Sequence, residues 1–306
     1  MNIDIVVATT AATIQAGTPI LYATLGEIIT EKSGVLNLGV EGMMLIGAFC
    51  GFFITKITGN PYLGVLGGGI GAASLALLHA ISVLIFQANQ IVSGLALTIL
   101  GTGLSNFWGT PFVGEKTLGF QKMDFIGLSK IPIIGDIFFK QDILVYFSYI
   151  LPVIIWFLLD KTRLGLEIRA AGEFPEGARS SGLNVTFLRS LGILGGGFLT
   201  GIGGAYLSLA YTHIWTNGLV AGRGWIAVAL VIFAFWNPFR AVIGAYLFGG
   251  IMAFQLSLQA SGTQIPSSIL LMLPYILTIL VLTIASKTHK GSWGPMGLGI
   301  NLEPKD

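Results

Sequence analysis

Long apolar stretches recur along the whole chain, separated by short polar or glycine-rich segments. A helix needs about 20 apolar residues to cross the hydrocarbon core of a bilayer. Helices are expected in these stretches because lipid offers no partner to open backbone groups. The pattern predicts an all-α polytopic integral membrane protein with about nine transmembrane helices (8–10). The predicted segments are residues 5–27, 36–57, 62–86, 91–110, 143–159, 190–212, 219–236, 240–258 and 267–286.

Composition supports this prediction and leaves no room for a sizeable soluble domain. Of the 306 residues, 54% are hydrophobic and 10% are charged, whereas soluble domains carry about 25% charged residues. We therefore interpret residues 1–306 as a single transmembrane domain. The net charge of +2 is too small to indicate a nucleic-acid partner, and the single cysteine, Cys50, excludes an internal disulfide. The first 30 residues contain no Lys or Arg, so no cleavable signal peptide is expected.

The distribution of basic residues predicts the orientation in the cell membrane, because short cytoplasmic loops are enriched in Lys and Arg. Residues 160–190 hold five basic side chains, and the C-terminal end adds Lys287 and Lys290. We expect both regions in the cytoplasm and the N-terminus outside. Residues 111–142 then form an external loop, although this loop carries four lysines. Its apolar part, residues 125–139, is expected to lie along the membrane surface.

Two similar motifs suggest an internal repeat. NPYLGVLG at 60–67 matches NPFRAVIG at 237–244, and each copy follows a charge between glycines, in GVEGMM at 39–44 and AGRGWI at 221–226. Five predicted spans separate the copies, so they would insert with opposite orientation. Inverted repeats are typical of transport proteins, in which the pathway lies at the repeat interface.

Polar residues in the apolar segments are candidates for a polar route. Intramembrane ionisable groups are costly and usually face a protein interior or a cavity. Glu41 is expected either to face such a cavity or to brace a helix end, whereas Glu31 and Lys32 are expected at the cytoplasmic edge. The apolar run after Gly224 has only 11 residues, about 17 Å of helix, which is too short to span a bilayer. The candidate pathway residues are Asn37, Glu41, Gln90, Asn106 and Trp225.

Four blocks of sequence resemble a known family. They are EKSGVLNLGVEGMMLIGA (31–48), QIVSGLALT (90–98), GLEIRAAGEFPEGARSSGLNV (165–185) and AGRGWIAVALV (221–231). Together they are similar to the membrane permease subunit of bacterial ABC importers, in the branch that includes simple-sugar and branched-chain amino-acid permeases. The resemblance is closest to nucleoside permeases. It implies a transport subunit rather than an enzyme, with nucleosides as the expected substrate and simple sugars or branched-chain amino acids as the alternative.

The resemblance also implies partners. A second related permease is expected, as a heterodimer rather than a homodimer, with an ABC ATPase on the cytoplasmic side and an extracellular substrate-binding lipoprotein. This chain contains no G-x-x-x-x-G-K-[ST] phosphate loop. We therefore expect it to bind no cofactor itself, with ATP and Mg²⁺ used by the partner ATPase.

Residues 160–190 would contact that ATPase. Pro175 can begin a short helix, and Gly182 can end it with a left-handed cap. The resemblance identifies this helix as the coupling helix, although Phe174 stands where the family more often has a polar residue, commonly Asn. The residues that the resemblance assigns to coupling are Gly172, Glu173, Ala178, Arg179 and Gly182. The alternative is an ordinary basic loop that serves orientation only.

Two other functional classes remain open. An ion-coupled secondary transporter would need ionisable sites, and only Glu27, Glu41 and His79 are candidates. His79 could relay protons or form a hydrogen bond to a neighbouring helix. An integral membrane enzyme would need a catalytic constellation, and the sequence contains neither a nucleophile–base pair that stands out nor a cluster with metal-ligand spacing.

Overall fold

The computed structural model describes residues 3–125, 127–263, 265–288 and 294–301, so Lys290 lies outside the described residues. These residues form twelve α-helices, and β1 (Met123–Asp124) pairs antiparallel with β2 (Lys140–Gln141). The helices are α1 (Ile3–Lys32), α2 (Val40–Thr58), α3 (Pro61–Ala80), α4 (Gln90–Gly109), α5 (Ile134–Phe138), α6 (Ile143–Lys161), α7 (Arg163–Glu173), α8 (Pro175–Ser180), α9 (Val185–Tyr206), α10 (Arg223–Phe233), α11 (Pro238–Ala260) and α12 (Ser267–Thr288).

Each of the nine predicted apolar segments contains most of one helix, but the helix within 219–236, α10, has only 11 residues. Single π-helical turns extend α3 to Ile85 and α9 to Tyr211. In the described part of the chain, six helical stretches are long and apolar enough to cross a membrane, while α10 and residues 267–281 are apolar but shorter. The helices therefore support a polytopic membrane protein, but by length and composition they give six spans rather than the predicted nine. The six are Val40–Thr58, Pro61–Ile85, Gln90–Phe112, Ile143–Lys161, Val185–Tyr211 and Pro238–Ala260.

The two Asn-Pro motifs begin helices in the same way. The side-chain oxygen of Asn60 accepts hydrogen bonds from the second and third N–H groups of α3, and Asn237 does the same for α11. Pro61 and Pro238 occupy the first helical position, where the missing N–H costs nothing. The shared motif thus encodes a shared helix start.

Helix α9 lies at the centre of the bundle and packs against α1, α2 and α3, while α1 also packs against α11. Glycines bring these backbones together. A Cβ at Gly201 would collide with the carbonyl oxygen of Gly68 on α3. A Cβ at Gly47 on α2 would lie 2.5 Å from the carbonyl oxygen of Gly201. Small residues at membrane helix interfaces permit such close packing, which accounts for the glycine cluster in α9.

The two long loops lie near different parts of α1. In the 111–142 loop, β2 residue Gln141 accepts a hydrogen bond from Gln15 Nε2 at 2.8 Å. In the 160–190 loop, a Cβ at Gly172 would collide with the carbonyl oxygen of Lys32. Residues 15 and 32 are about 26 Å apart along a helix. The ribbon of β1 and β2 and an isolated antiparallel bridge between Lys116 and Ile214 depart from the predicted all-α fold.

Candidate functional site

The 160–190 loop forms two helices at the end of α6. Thr162 caps α7 through a hydrogen bond from the Gly165 N–H, and Pro175 is the first residue of α8. Gly182 follows α8 with φ +82°, and its N–H donates to the carbonyl of Arg179 at 2.8 Å. A left-handed φ is far easier for glycine than for any other residue. The short helix predicted between Pro175 and Gly182 is therefore present.

The five candidate coupling residues fall into two groups in this loop. Gly172 and Ala178 are buried: Gly172 lies against the backbone of Lys32, and Ala178 packs among apolar residues of α7 and α9. Glu173 and Gly182 are exposed, and Arg179 is half-buried. Two of the five thus pack within the molecule, while Glu173 and Gly182 lie on its surface.

Glu41 joins the first turn of α2 to the start of α10. One carboxylate oxygen accepts the N–H of Gly222 at 2.8 Å, and the other accepts the N–H of Gly224 at 2.7 Å. The two glycines flank Arg223, the first residue of α10. A Cβ at Gly224 would lie 2.5 Å from the Cα of Glu41. Glu41 was expected either to face a cavity or to brace a helix end, and this geometry supports the bracing of a helix end.

Asn37 and Gln90 organise the connection between α1 and α2. Asn37 is buried, and its side-chain oxygen accepts the N–H of Gly39 at 2.9 Å. Gln90 accepts the N–H of Leu36 at 2.7 Å, while the Leu36 carbonyl lies 3.1 Å from His79 Nε2. His79 Nδ1 also lies 3.0 Å from a serine hydroxyl on α4, as the hydrogen-bonding alternative for His79 predicts.

The other two candidate pathway residues lie elsewhere. Trp225 is 38% exposed and lies on α10, directly after Gly224, which donates to Glu41. Asn106 lies near the opposite end of α4 from Gln90, and its side-chain oxygen is buried without a hydrogen-bond partner among the described residues. The structure therefore brings Asn37, Glu41, Gln90 and Trp225 to adjoining helix ends and leaves Asn106 apart.

Glu31 is a correction to the sequence analysis. The sequence predicts it at a water-accessible edge, but its exposure is 3%, and its carboxylate accepts a hydrogen bond from Trp236 Nε1 at 2.6 Å. Glu27, one turn earlier, is also buried and accepts the backbone N–H of Asn37 at 3.2 Å. The bundle covers the end of α1, so the position of these acids in sequence did not reveal their burial.

Sequence reasoning also missed residues 294–301, which we call the C-terminal segment. The Gly297 N–H donates to the carbonyl of Gly172 at 2.9 Å, and Asn301 donates to the carbonyl of Gln87 at 2.8 Å. Arg189 is one of the five basic residues of the 160–190 loop, and its buried guanidinium donates to carbonyls of this segment. No periodicity in the sequence marks such contacts across more than 100 residues.

Within the described ranges, no group of three or more His, Cys, Asp or Glu side chains could hold a metal ion. The polar side chains of this region instead bind backbone N–H groups of the α1–α2 connection and of the start of α10. The arrangement fixes helix ends to one another, while the 160–190 loop presents charged groups outward.

Comparison with known proteins identifies the family. Residues 9–282 match the family model described as the branched-chain amino acid transport system / permease component. The chain is 47% identical over 256 residues to a putative glucose ABC transporter permease protein, TsgC13, of Haloferax volcanii, with 81% of this chain and 77% of the relative covered.

Two further relatives are named for nucleosides. The chain is 35% identical over 289 residues to the guanosine ABC transporter permease protein NupQ of Bacillus subtilis, covering 89% of this chain and 90% of the relative. It is also 35% identical over 286 residues to the nucleoside ABC transporter permease protein NupC of Lactococcus lactis, covering 87% and 88% respectively. The similarity thus extends over nearly the whole length of these permeases.

Proposed function

This chain belongs to the family of permease components of branched-chain amino acid transport systems, and from that premise we propose that it forms half of the pore of an ATP-driven nucleoside importer. It is a membrane permease subunit of an ABC transporter and is not itself an enzyme. The family implies an ATPase partner and a substrate-binding protein. A second, related permease completes the pore, and the binding protein is an extracellular lipoprotein.

The observation that carries the mechanism is the contact between the end of α7, which leads directly into α8, and the α1–α2 connection. Its preceding residue pair, Gly172 and Glu173, ends α7, and Gly172 lies against the backbone of Lys32 and Gly34. A push on α8 is therefore transmitted through direct backbone contact to the end of α1. From there the α1–α2 connection leads to Glu41 and, through its carboxylate, to α10.

We infer that the two similar motifs form an inverted repeat and that the chain crosses the membrane about nine times. The charge of the first copy, Glu41, lies at the start of α2, and that of the second, Arg223, lies at the start of α10. The Glu41 carboxylate binds the N–H groups on both sides of Arg223, so the starts of these two helices contact each other. Alternating access then consists of the two halves rocking about this contact.

The same proposal assigns the orientation of the chain in the membrane and the route of the substrate through it. The 160–190 loop and the C-terminus face the cytoplasm, and the N-terminus and the 111–142 loop face outward. The pathway runs past Asn106, whose side-chain oxygen has no partner among the described residues, and past the exposed Trp225. An unsatisfied buried acceptor is costly, and a polar solute or water in the pathway would satisfy it.

Nucleosides are supported by two relatives that are named for them and aligned over most of both chains. Simple sugars are the second candidate, because the relative at 47% identity is named for glucose. The two classes share a hydroxylated sugar ring. Uptake of labelled uridine into cells that express the whole transporter separates them: excess unlabelled nucleoside should abolish uptake, and glucose, ribose and leucine should not. Uptake of labelled glucose that nucleosides leave unaffected would favour the sugar candidate.

The coupling role is tested by Gly182→Pro. Proline fixes φ near −65° and lacks an N–H, so it cannot keep the φ of +82° or the hydrogen bond to Arg179. We expect the variant to insert normally but to lose co-purification with the ATPase. Gly114→Pro in the 111–142 loop is the matched control, because Gly114 has φ +83° and donates one backbone hydrogen bond at 2.9 Å. Undiminished co-purification of the ATPase with Gly182→Pro would refute the coupling role.

A further inference from the structure

We propose that the C-terminal segment, residues 294–301, combines with α8 to form one composite docking surface for the ATPase subunit. The inference rests on the proposed function and extends it, since the sequence assigns coupling to the 160–190 loop alone. It depends on three observations: the fixed position of the segment, the groove that it forms beside α8, and the charges around that groove.

Hydrogen bonds fix the segment to three separate connections of the bundle. The N–H of Gly297 donates to the carbonyl of Gly172 at 2.9 Å, and that of Gly299 donates to the carbonyl of Gly34 at 3.3 Å. The Asn301 amide donates to the carbonyl of Gln87 at 2.8 Å and accepts from Gln90 Nε2 at 3.1 Å. The segment is thus built into this end of the molecule.

Arg189 on α9 binds the buried side of the same segment. Its guanidinium is fully buried and donates to the carbonyl of Ile300 at 2.9 Å and to that of Gly297 at 3.4 Å. It also donates to the carbonyl of Ala171 in the last turn of α7 at 3.4 Å, where the helix dipole favours a positive charge. One buried cation therefore holds α7 and the C-terminal segment together.

A groove of about 350 Å³ lies between the segment and the start of α8. Three large apolar side chains are exposed along it: Phe174 by 64%, Met296 by 71% and Ile300 by 56%. Phe174 directly precedes α8, and Met296 and Ile300 belong to the C-terminal segment, so both parts of the chain contribute to this apolar surface.

The charges around the groove exclude the lipid core as its cover. Glu173 and Glu176 line the same groove, and ionised carboxylates are expensive in the hydrocarbon region. Exposed apolar patches rimmed by polar residues mark protein interfaces. Because Pro175 and Glu176 belong both to α8 and to the groove, a protein that seats on α8 also covers the groove. That protein is the ATPase, and its matching surface should carry an apolar side chain flanked by basic residues.

The experiment measures binding of the purified ATPase to the full-length permease in detergent. Met296→Asp and Ile300→Asp each place a charge in the apolar contact, and we expect at least a tenfold loss of affinity. Met123→Asp is the matched control, because Met123 is 51% exposed but belongs to β1 in the 111–142 loop. This control should bind as the unaltered chain does.

A cysteine substitution tests the same contact without a buried charge, in case an aspartate disturbs folding. Met296→Cys should react with a bulky maleimide in the permease alone and become protected when the ATPase is bound, while Met123→Cys stays reactive in both states. If the unaltered permease binds no ATPase, the proposed function itself fails. If the unaltered permease binds but the aspartate variants bind equally well, or the thiol of Met296→Cys stays reactive in the complex, the composite surface is refuted.

Discussion

The two polar regions of this permease differ in where their side chains point. Where α1 and α2 meet the two ends of α10, the carboxylates of Glu31 and Glu41 are buried. Glu41 accepts hydrogen bonds at the start of α10, and Glu31 accepts one from Trp236, just beyond the end of α10. In the 160–190 loop, Glu173 and Glu176 are exposed. The two regions resemble each other in sequence, because Glu41, Glu173 and Glu176 each adjoin a glycine. The buried carboxylates therefore join separate segments of the bundle, whereas the carboxylates of Glu173 and Glu176 lie on a surface that a partner can contact.

The largest expected effect in this comparison is that of Glu41→Ala on stability. The substitution leaves the N–H groups of Gly222 and Gly224 without their acceptors in a largely buried site. We expect a loss of about 2–5 kcal/mol in the free energy of unfolding. Heating the detergent-solubilised protein and measuring the monodisperse fraction by size-exclusion chromatography tests this expectation.

Glu176→Ala on α8 is the control for Glu41→Ala, because that carboxylate is exposed and should leave the heating profile unchanged. A Glu41→Ala protein that is as heat-stable as the unaltered chain, yet transports nothing, would assign Glu41 to the substrate pathway instead of to helix bracing.

Trp236→Phe should have an intermediate effect. It removes the indole N–H that donates to Glu31 at 2.6 Å but keeps most of the apolar ring. Removing the donor leaves the buried Glu31 oxygen without its hydrogen bond, which costs about 1–3 kcal/mol, and the same heating assay measures this loss. Trp225→Phe is the matched control on α10, and its 38% exposure predicts little loss of stability. Equal losses for the two variants would contradict the importance of the Glu31 contact.

Arg163→Ala should have the smallest effect on stability. Arg163 Nε lies 2.8 Å from Glu167 on the surface of α7, and its side chain is 90% exposed. Solvent screens such pairs, so the cost should be about 0.5 kcal/mol or less. An unfolding midpoint within error of the unaltered chain is the expected result. A shift as large as that of Trp236→Phe would show that this surface ion pair contributes as much to stability as the buried hydrogen bond to Glu31.

The sequence predicted the parts of the fold that depend on local chemistry. Apolar length located the helices, and Pro175 and Gly182 bounded α8. The sequence marks Asn60 and Asn237 only as parts of a repeated motif, and the structure adds that both cap helices. These features work because capping and backbone preference act between neighbours in the chain.

Contacts between distant residues escaped the sequence analysis. The bond between Glu31 and Trp236 joins positions 205 residues apart, and that between Gln90 and Asn301 joins positions 211 residues apart. Neither residue pair carries a periodic signal, since each depends on how whole helices pack. The burial of Glu31 and the docking of the C-terminal segment could therefore be recognised only once the helices were placed together.

The central claim is that this subunit moves its substrate only when an ATPase acts on its inner surface. The most direct test reconstitutes the unaltered permease with its partner permease, binding protein and ATPase in vesicles and follows labelled uridine. Concentrative uptake should require both ATP and the ATPase and should vanish when either is omitted. Accumulation by the permease without the ATPase, driven by an ion gradient, would contradict the account.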